Sequence, residues 1–210
     1  MKVSIAFSIS CLLYTICYSQ NLASVNASPN VILKNVSVKL NDLKNIRYHN
    51  KRELNYSSEN YHNEMIWVEY LDFESTGTIL GCKYQIKDST QEQVFNGTEK
   101  FELDKNAKTI QINDHPVQNS FSSLSAFYNS IITLRNALPT LIEDEAATKV
   151  LKDTIINKAP YYVVTLNIQK RRLQNLGKGF DAMKTKSNFI YKIIINANTE
   201  MILLKQHSRI

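Results

Sequence analysis

The chain has 210 residues, of which 43% are hydrophobic, 10% aromatic and 21% charged. That is enough apolar surface for one buried core, and it excludes a disordered, collagen-like or coiled-coil protein. Twenty-five Lys and Arg against nineteen Asp and Glu leave a net charge of +6, and the excess is uneven: residues 161–210 hold nine basic side chains against Asp181 and Glu200. Three cysteines, Cys11, Cys17 and Cys82, are too few for a disulfide-stapled mini-protein, and no series of long apolar spans marks a polytopic membrane protein.

Met1-Lys2 gives the N-terminus a positive start, Val3 to Tyr18 is free of charge, and Cys17-Tyr18-Ser19 puts small residues at positions −3 and −1 of a cut before Gln20. Residues 1–19 therefore read as a secretory signal peptide, and the protein is expected to be exported to the periplasm or cell envelope. A lipid anchor at Cys17 fits less well, because the bulky Ile16 stands where a lipoprotein signal wants a small side chain. After cleavage Cys82 would be the one thiol left, so stability must come from packing. Residues 20–41, rich in Asn and Ser, are expected to form a flexible lead-in or, through Val31, Leu33, Val36 and Val38, an edge strand. Residues 42–210 read as a single domain.

From Asn45 the hydrophobic pattern has mostly period two, the mark of strands with one buried face. Strands are predicted at Asn45–Tyr56, around Trp67–Phe73, and at Cys82–Ile86, where Cys82, Tyr84 and Ile86 alternate with Lys83 and Gln85. Phe95–Asp104 continues the series with a bulge or bend at Gly97, and Thr109–Asn113 follows after a turn at Lys105-Asn106. At Ser120 the period changes to that of a helix, with Leu124, Phe127, Tyr128, Ile131, Leu134 and Leu138 on one stripe and Pro139 ending or kinking it. A second helix is predicted with Glu143, Asp144 and Glu145 in its first turn and Lys149 and Lys152 in its last, the charge order that suits the helix dipole. Strands resume at Tyr161–Ile168, Phe189–Asn196 and Met201–Gln206. The expected fold is α+β: a curved antiparallel sheet, an incomplete barrel, with two helices inserted between strands.

The motifs of enzymes are missing from this pattern. The sequence has no phosphate-binding Gly-rich loop, HExxH, CxxC or GxSxG, and its four histidines are scattered singly, so no catalytic residue, metal ligand or cofactor is predicted. Two binding features remain. Trp67, Leu71, Phe73, Tyr84, Ile86, Phe101, Leu103, Phe127 and Ile131 are expected either to fill the core or to wall an apolar groove for an acyl chain. Lys170, Arg171, Arg172 and Lys178 form the basic cluster suited to a phosphate or lipid headgroup, as a peripheral membrane contact at most. Nucleic acid is disfavoured as a partner, because no stacking aromatics interleave with these cations.

Lys51-Arg52-Glu53-Leu54-Asn55-Tyr56, Phe95 to Leu103 and Gln174-Asn175-Leu176-Gly177-Lys178-Gly179-Phe180-Asp181 resemble the N-terminal region of exported thioredoxin-family (TlpA-like) proteins of Bacteroidetes. The layout of strands and helices also resembles the half-barrel of LolA/LolB-type lipoprotein carriers. The first resemblance implies an accessory domain of a thiol-disulfide oxidoreductase whose redoxin part is absent here, since Cys82 has no second cysteine near it in sequence. The second implies a non-enzymatic carrier whose partner is a lipid or a lipoprotein acyl chain. A structural module binding another envelope protein is the third expectation.

Overall fold

A computed structural model of the chain describes residues 28–56, 61–74, 77–121, 127, 130–184 and 188–209. The signal-peptide and Cys17 expectations lie outside the described residues, as do Ser122, Ser123, Leu124 and Tyr128 of the expected first helix.

The described elements begin with a helix. Residues Pro29–Asp42 form α1, where a lead-in or edge strand was expected. Ser28 caps it by accepting from the Val31 N–H at 3.3 Å, and Pro29 stands in the first turn, where its missing N–H costs nothing. Ile32, Leu33, Val36 and Leu40 share the buried stripe, while Val31 and Val38 are about half exposed. The valines that read as strand alternation are thus divided between the two sides of a helix.

Six strands then run as an antiparallel meander: β1 (Asn45–Tyr56), β2 (Tyr61–Asp72), β3 (Lys83–Lys87), β4 (Gln91–Phe95), β5 (Lys100–Asp104) and β6 (Thr109–Asn113), each paired with the next. Gly97 makes no bulge. With φ at +111° it sits in the β4–β5 turn, where the Asn96 side chain accepts from the N–H groups of Thr98 and Glu99 at 2.9 and 2.8 Å. A 3-10 turn at Gln118–Phe121 precedes α2 (Ile131–Glu143), which starts eleven residues after Ser120, where the helical period was expected to begin. Its cap is Ser130, whose hydroxyl accepts from Thr133 N–H at 3.1 Å, and Pro139 lies inside the helix on its exposed side.

The second expected helix is a strand. Residues Thr148–Ile156 form β7 and pair with β8 (Ala159–Gln169). The acidic trio marks the end of α2 instead, where the dipole disfavours it. Lys149 offsets this by donating to the carbonyls of Ile142 and Asp144 at 3.2 and 2.9 Å. A short ribbon of β9 (Arg171–Leu173) and β10 (Phe180–Ala182) leads to β11 (Asn188–Asn196) and β12 (Ile202–Arg209), giving a four-stranded sheet of order β12-β11-β8-β7. Among the described residues the architecture is α+β with two α-helices and antiparallel sheets, none closed into a barrel. The single curved sheet of the sequence reading is two sheets and a ribbon, and one helix precedes the strands while only the other is inserted among them.

Each sheet has its own core. Helix α1 and the stripe Leu134, Ala137, Leu138 and Leu141 of α2 cover Val164, Leu166, Ile168, Tyr191, Ile193 and Ile195 of the four-stranded sheet. Ile132 of α2 joins Trp67, Leu71, Tyr84, Ile86, Phe95, Phe121 and Phe127 over the six-stranded sheet. Ile131 packs against both clusters, so the start of α2 is the joint between them. Arg135 ties the two helices, donating to the carbonyls of Asn41 in the last turn of α1 and of its C-cap Leu43 at 3.1 and 3.4 Å.

Candidate functional site

The nine apolar residues expected either to fill the core or to wall a groove do not share a surface. Trp67, Leu71, Tyr84, Ile86 and Phe127 are buried on the inner face of the six-stranded sheet, with Phe73 and Ile131 partly buried against them. Their rings interlock: Tyr84 meets Phe127 edge-on at 5.3 Å between centroids, and Phe95 meets Phe121 at 5.0 Å. Phe101 and Leu103 point the other way. Phe101 stands opposite Val94 and Ile112, and Leu103 opposite Glu92 and Ile110, all on the outer face.

The inner face also holds a polar group. Glu69 lies between Trp67 and Leu71 on β2 and is fully buried. Tyr48, directly opposite on β1, donates its hydroxyl to one carboxylate oxygen, and Asn50 Nδ2 donates to the other at 2.7 Å. The Tyr48 oxygen in turn accepts from the Ile131 N–H at 2.9 Å, which satisfies one of the orphan donors at the start of α2. Burial pushes the Glu69 carboxyl up to about 7, against the opposing pull of the Tyr48 and Asn50 hydrogen bonds. Burial also raises Tyr48, with the Glu69 charge adding to it. The arrangement fastens the helix to the sheet and holds one proton whose occupancy changes near neutral pH. The Cys82 thiol, buried in the same core, is pushed up to about 12 by desolvation and is poorly placed to ionise.

The basic cluster is largely engaged within the fold. Arg171 pairs with Asp144 at 2.8 Å and lies over the Phe180 ring at 4.6 Å. Arg172 lies 3.4 Å from Asp181. Lys170 takes a positive φ of 52° in the turn between β8 and β9 and is exposed, as is Lys178. Only these last two of the four remain as open cations, so the segment is weaker as an anion site than its composition indicated.

The outer face of the six-stranded sheet is the more open surface. Register aligns Arg47, Tyr70, Gln85, Val94, Phe101 and Ile112 across it in one row, and His49, Val68, Lys87, Glu92, Leu103 and Ile110 in the next. A surface cavity of about 280 Å³ opens between these rows, lined by Arg47, Val68, Tyr70, Gln85 and Lys87. The lining is mixed: Val68 and Tyr70 lie between the two cations, with the Gln85 amide beside Tyr70. Tyr70 is 41% exposed although it sits mid-strand in a central position. None of these five was predicted as a site residue. The signal was present in the sequence as apolar groups on both sides of β2, Val68 and Tyr70 as well as Trp67 and Leu71, but the strand register that brings Arg47 and Lys87 beside them is not local.

No family model matches the chain and no curated protein matches it closely enough to be reported as a relative.

Proposed function

We propose that the protein is an exported, non-enzymatic binding or accessory domain, lipoprotein-carrier-like in role, that takes an apolar ligand with an anionic end on the outer face of its six-stranded sheet. The observation that carries this reading is the cavity between Arg47 and Lys87, whose floor is Val68 and Tyr70. An acyl chain laid across that floor covers exposed apolar surface, and its headgroup or carboxylate meets a guanidinium or an ammonium at either end. The inner face is the poorer seat, because its aromatic rings already fill one another's space. The cavity is slightly smaller than the roughly 300–1,000 Å³ of typical small-molecule sites, so it accommodates part of a chain and leaves the rest in solvent. At ~0.8 kcal/mol per buried methylene, about five methylenes contribute roughly 4 kcal/mol, which corresponds to an affinity on the order of 1 mM before the charge contact is added.

Titration with a fluorescent long-chain fatty acid, alongside native mass spectrometry of gently purified protein, tests the reading. Binding that falls at least tenfold in Arg47→Glu/Lys87→Glu and is unchanged in Lys170→Gln/Lys178→Gln is expected. No binding, or equal loss in both variants, would overturn it.

A further inference from the structure

We infer that β6 is a homodimerisation edge, pairing antiparallel with β6 of a second copy of this chain about Gln111. This inference stands apart from the ligand reading, since β6 lies at the opposite margin of the sheet from β1 and Arg47.

Among the described residues the two larger sheets leave four margins, at β1, β6, β7 and β12. Native proteins protect such edges with charge, proline or bulges. Strand β1 carries Arg47, Lys51, Arg52 and Glu53; β7 carries Lys149, Lys152 and Asp153; β12 carries Lys205 and Arg209. Strand β6, Thr-Ile-Gln-Ile-Asn, carries no charge and no proline, and all five residues are exposed, Ile110 and Ile112 at 62% and 63%.

The backbone fixes which groups this edge offers. Lys105 N–H donates to Thr90 C=O opposite it, so odd-numbered residues of β5 direct their hydrogen bonds to β4 and even-numbered ones to β6. Glu102 and Asp104 therefore bond to their partners Gln111 and Thr109. Along β6 the alternation then turns the N–H and C=O of Ile110 and Ile112 outward to the free edge.

A second copy fits this edge in one register. Centred on Gln111, antiparallel pairing sets Ile110 against Ile112 of the second copy and the reverse, so the outward groups of both chains meet in four N–H···O bonds. The same register sets Thr109 against Asn113 and, just outside the strands, Lys108 against Asp114. The run Lys108-Thr109-Ile110-Gln111-Ile112-Asn113-Asp114 is thus self-complementary about its centre, with an ion pair at each end. Asp114 is exposed, and among the described residues its ion-pair neighbour is the adjacent His115 at 3.7 Å. In-register parallel pairing would set Lys108 against Lys108 and is disfavoured. Four isoleucines become contiguous on the outer face, continuing the two rows that hold Phe101 and Leu103. Because pairing consumes this edge in each chain, the product is a closed two-fold dimer.

Sedimentation velocity over a concentration series, combined with cysteine cross-linking, tests this. Lys108→Asp, which suits the positive φ of 54° at that position, and Asp114→Lys are each expected to weaken the dimer about tenfold, and the double reversal to restore it. In a Cys11→Ser/Cys17→Ser background, Gln111→Cys meets its own copy across the two-fold axis at a Cα separation of about 4.5 Å, within disulfide range. It should therefore oxidise to a covalent dimer faster than Thr109→Cys, whose copies lie on opposite sides of the axis. A protein monomeric at all concentrations, a double reversal that fails to restore association, or equal cross-linking at 109 and 111 would overturn the inference.

Discussion

Tyr48 and Glu69 stand directly opposite each other on β1 and β2, and the tyrosine hydroxyl donates to the carboxylate while accepting from the first N–H of α2. A buried carboxyl thus sits at the joint where the helix meets the six-stranded sheet. Its cost of burial governs the first prediction.

Glu69 titrates at about 7 in the fold and at its ordinary 4.5 when unfolded. Between those values the folded state binds more protons, so the contribution of this group is complete below pH 4.5 and is lost as pH rises through 7. The loss is on the order of 3 kcal/mol. Urea unfolding at several pH values from 5 to 8 should show stability falling in the wild type and a flatter profile in Glu69→Gln. Parallel slopes in the two proteins would refute the assignment.

Removing the Tyr48 hydroxyl deprives two buried groups at once, the Glu69 carboxylate and the Ile131 N–H. Tyr48→Phe should cost about 2–3 kcal/mol by urea unfolding at pH 8. A loss below about 0.5 kcal/mol would mean that water replaces the phenol without penalty.

Gly177 has a φ of +68°, and a Cβ there would lie 2.1 Å from Thr133 O and 2.7 Å from Ala137 N of α2. Gly177→Ala should therefore cost roughly 4 kcal/mol or more, or prevent folding. Gly77, with a φ of +91° and open space around it, is the control, and Gly77→Ala should cost about 1–2 kcal/mol. Thermal unfolding of both variants measures the difference.

Several strands were legible because their alternation is local, although β4, β7, β9 and β10 were not. Asn45–Tyr56 and Thr109–Asn113 were bounded to the residue, and Lys83, Gln85 and Lys87 do face away from Tyr84 and Ile86. The helices were less legible, since their signals conflict with neighbouring ones. The β-branched run of α1 looks like a strand unless Ser28-Pro29 is weighed as a cap, and the charges of residues 143–152 look like a helix although they serve the end of α2 and the edge strand β7. The candidate site depends on register over four strands. Val68 and Tyr70 are visible as apolar residues on the second face of β2, but only pairing with β1 and β3 puts Arg47 and Lys87 around them.

Asp144 accepts from Arg171 in a largely buried pair, with side-chain exposures of 11% and 30%. Asp144→Asn should cost about 1–3 kcal/mol, because it leaves the guanidinium without its charge partner. Lys178→Gln, on an exposed side chain, should stay within about 0.5 kcal/mol of the wild type. Equal costs in urea unfolding would contradict the division of the basic segment into structural and open cations.

Methyl-labelled NMR during titration with a long-chain fatty acid tests the central claim most directly, because it reports which face of the sheet is covered. The outer-face account predicts saturable shifts at the Val68 methyls, with Leu71 and Ile86 of the inner face unmoved. Shifts concentrated at Leu71 and Ile86, or none at any of the three, would contradict it.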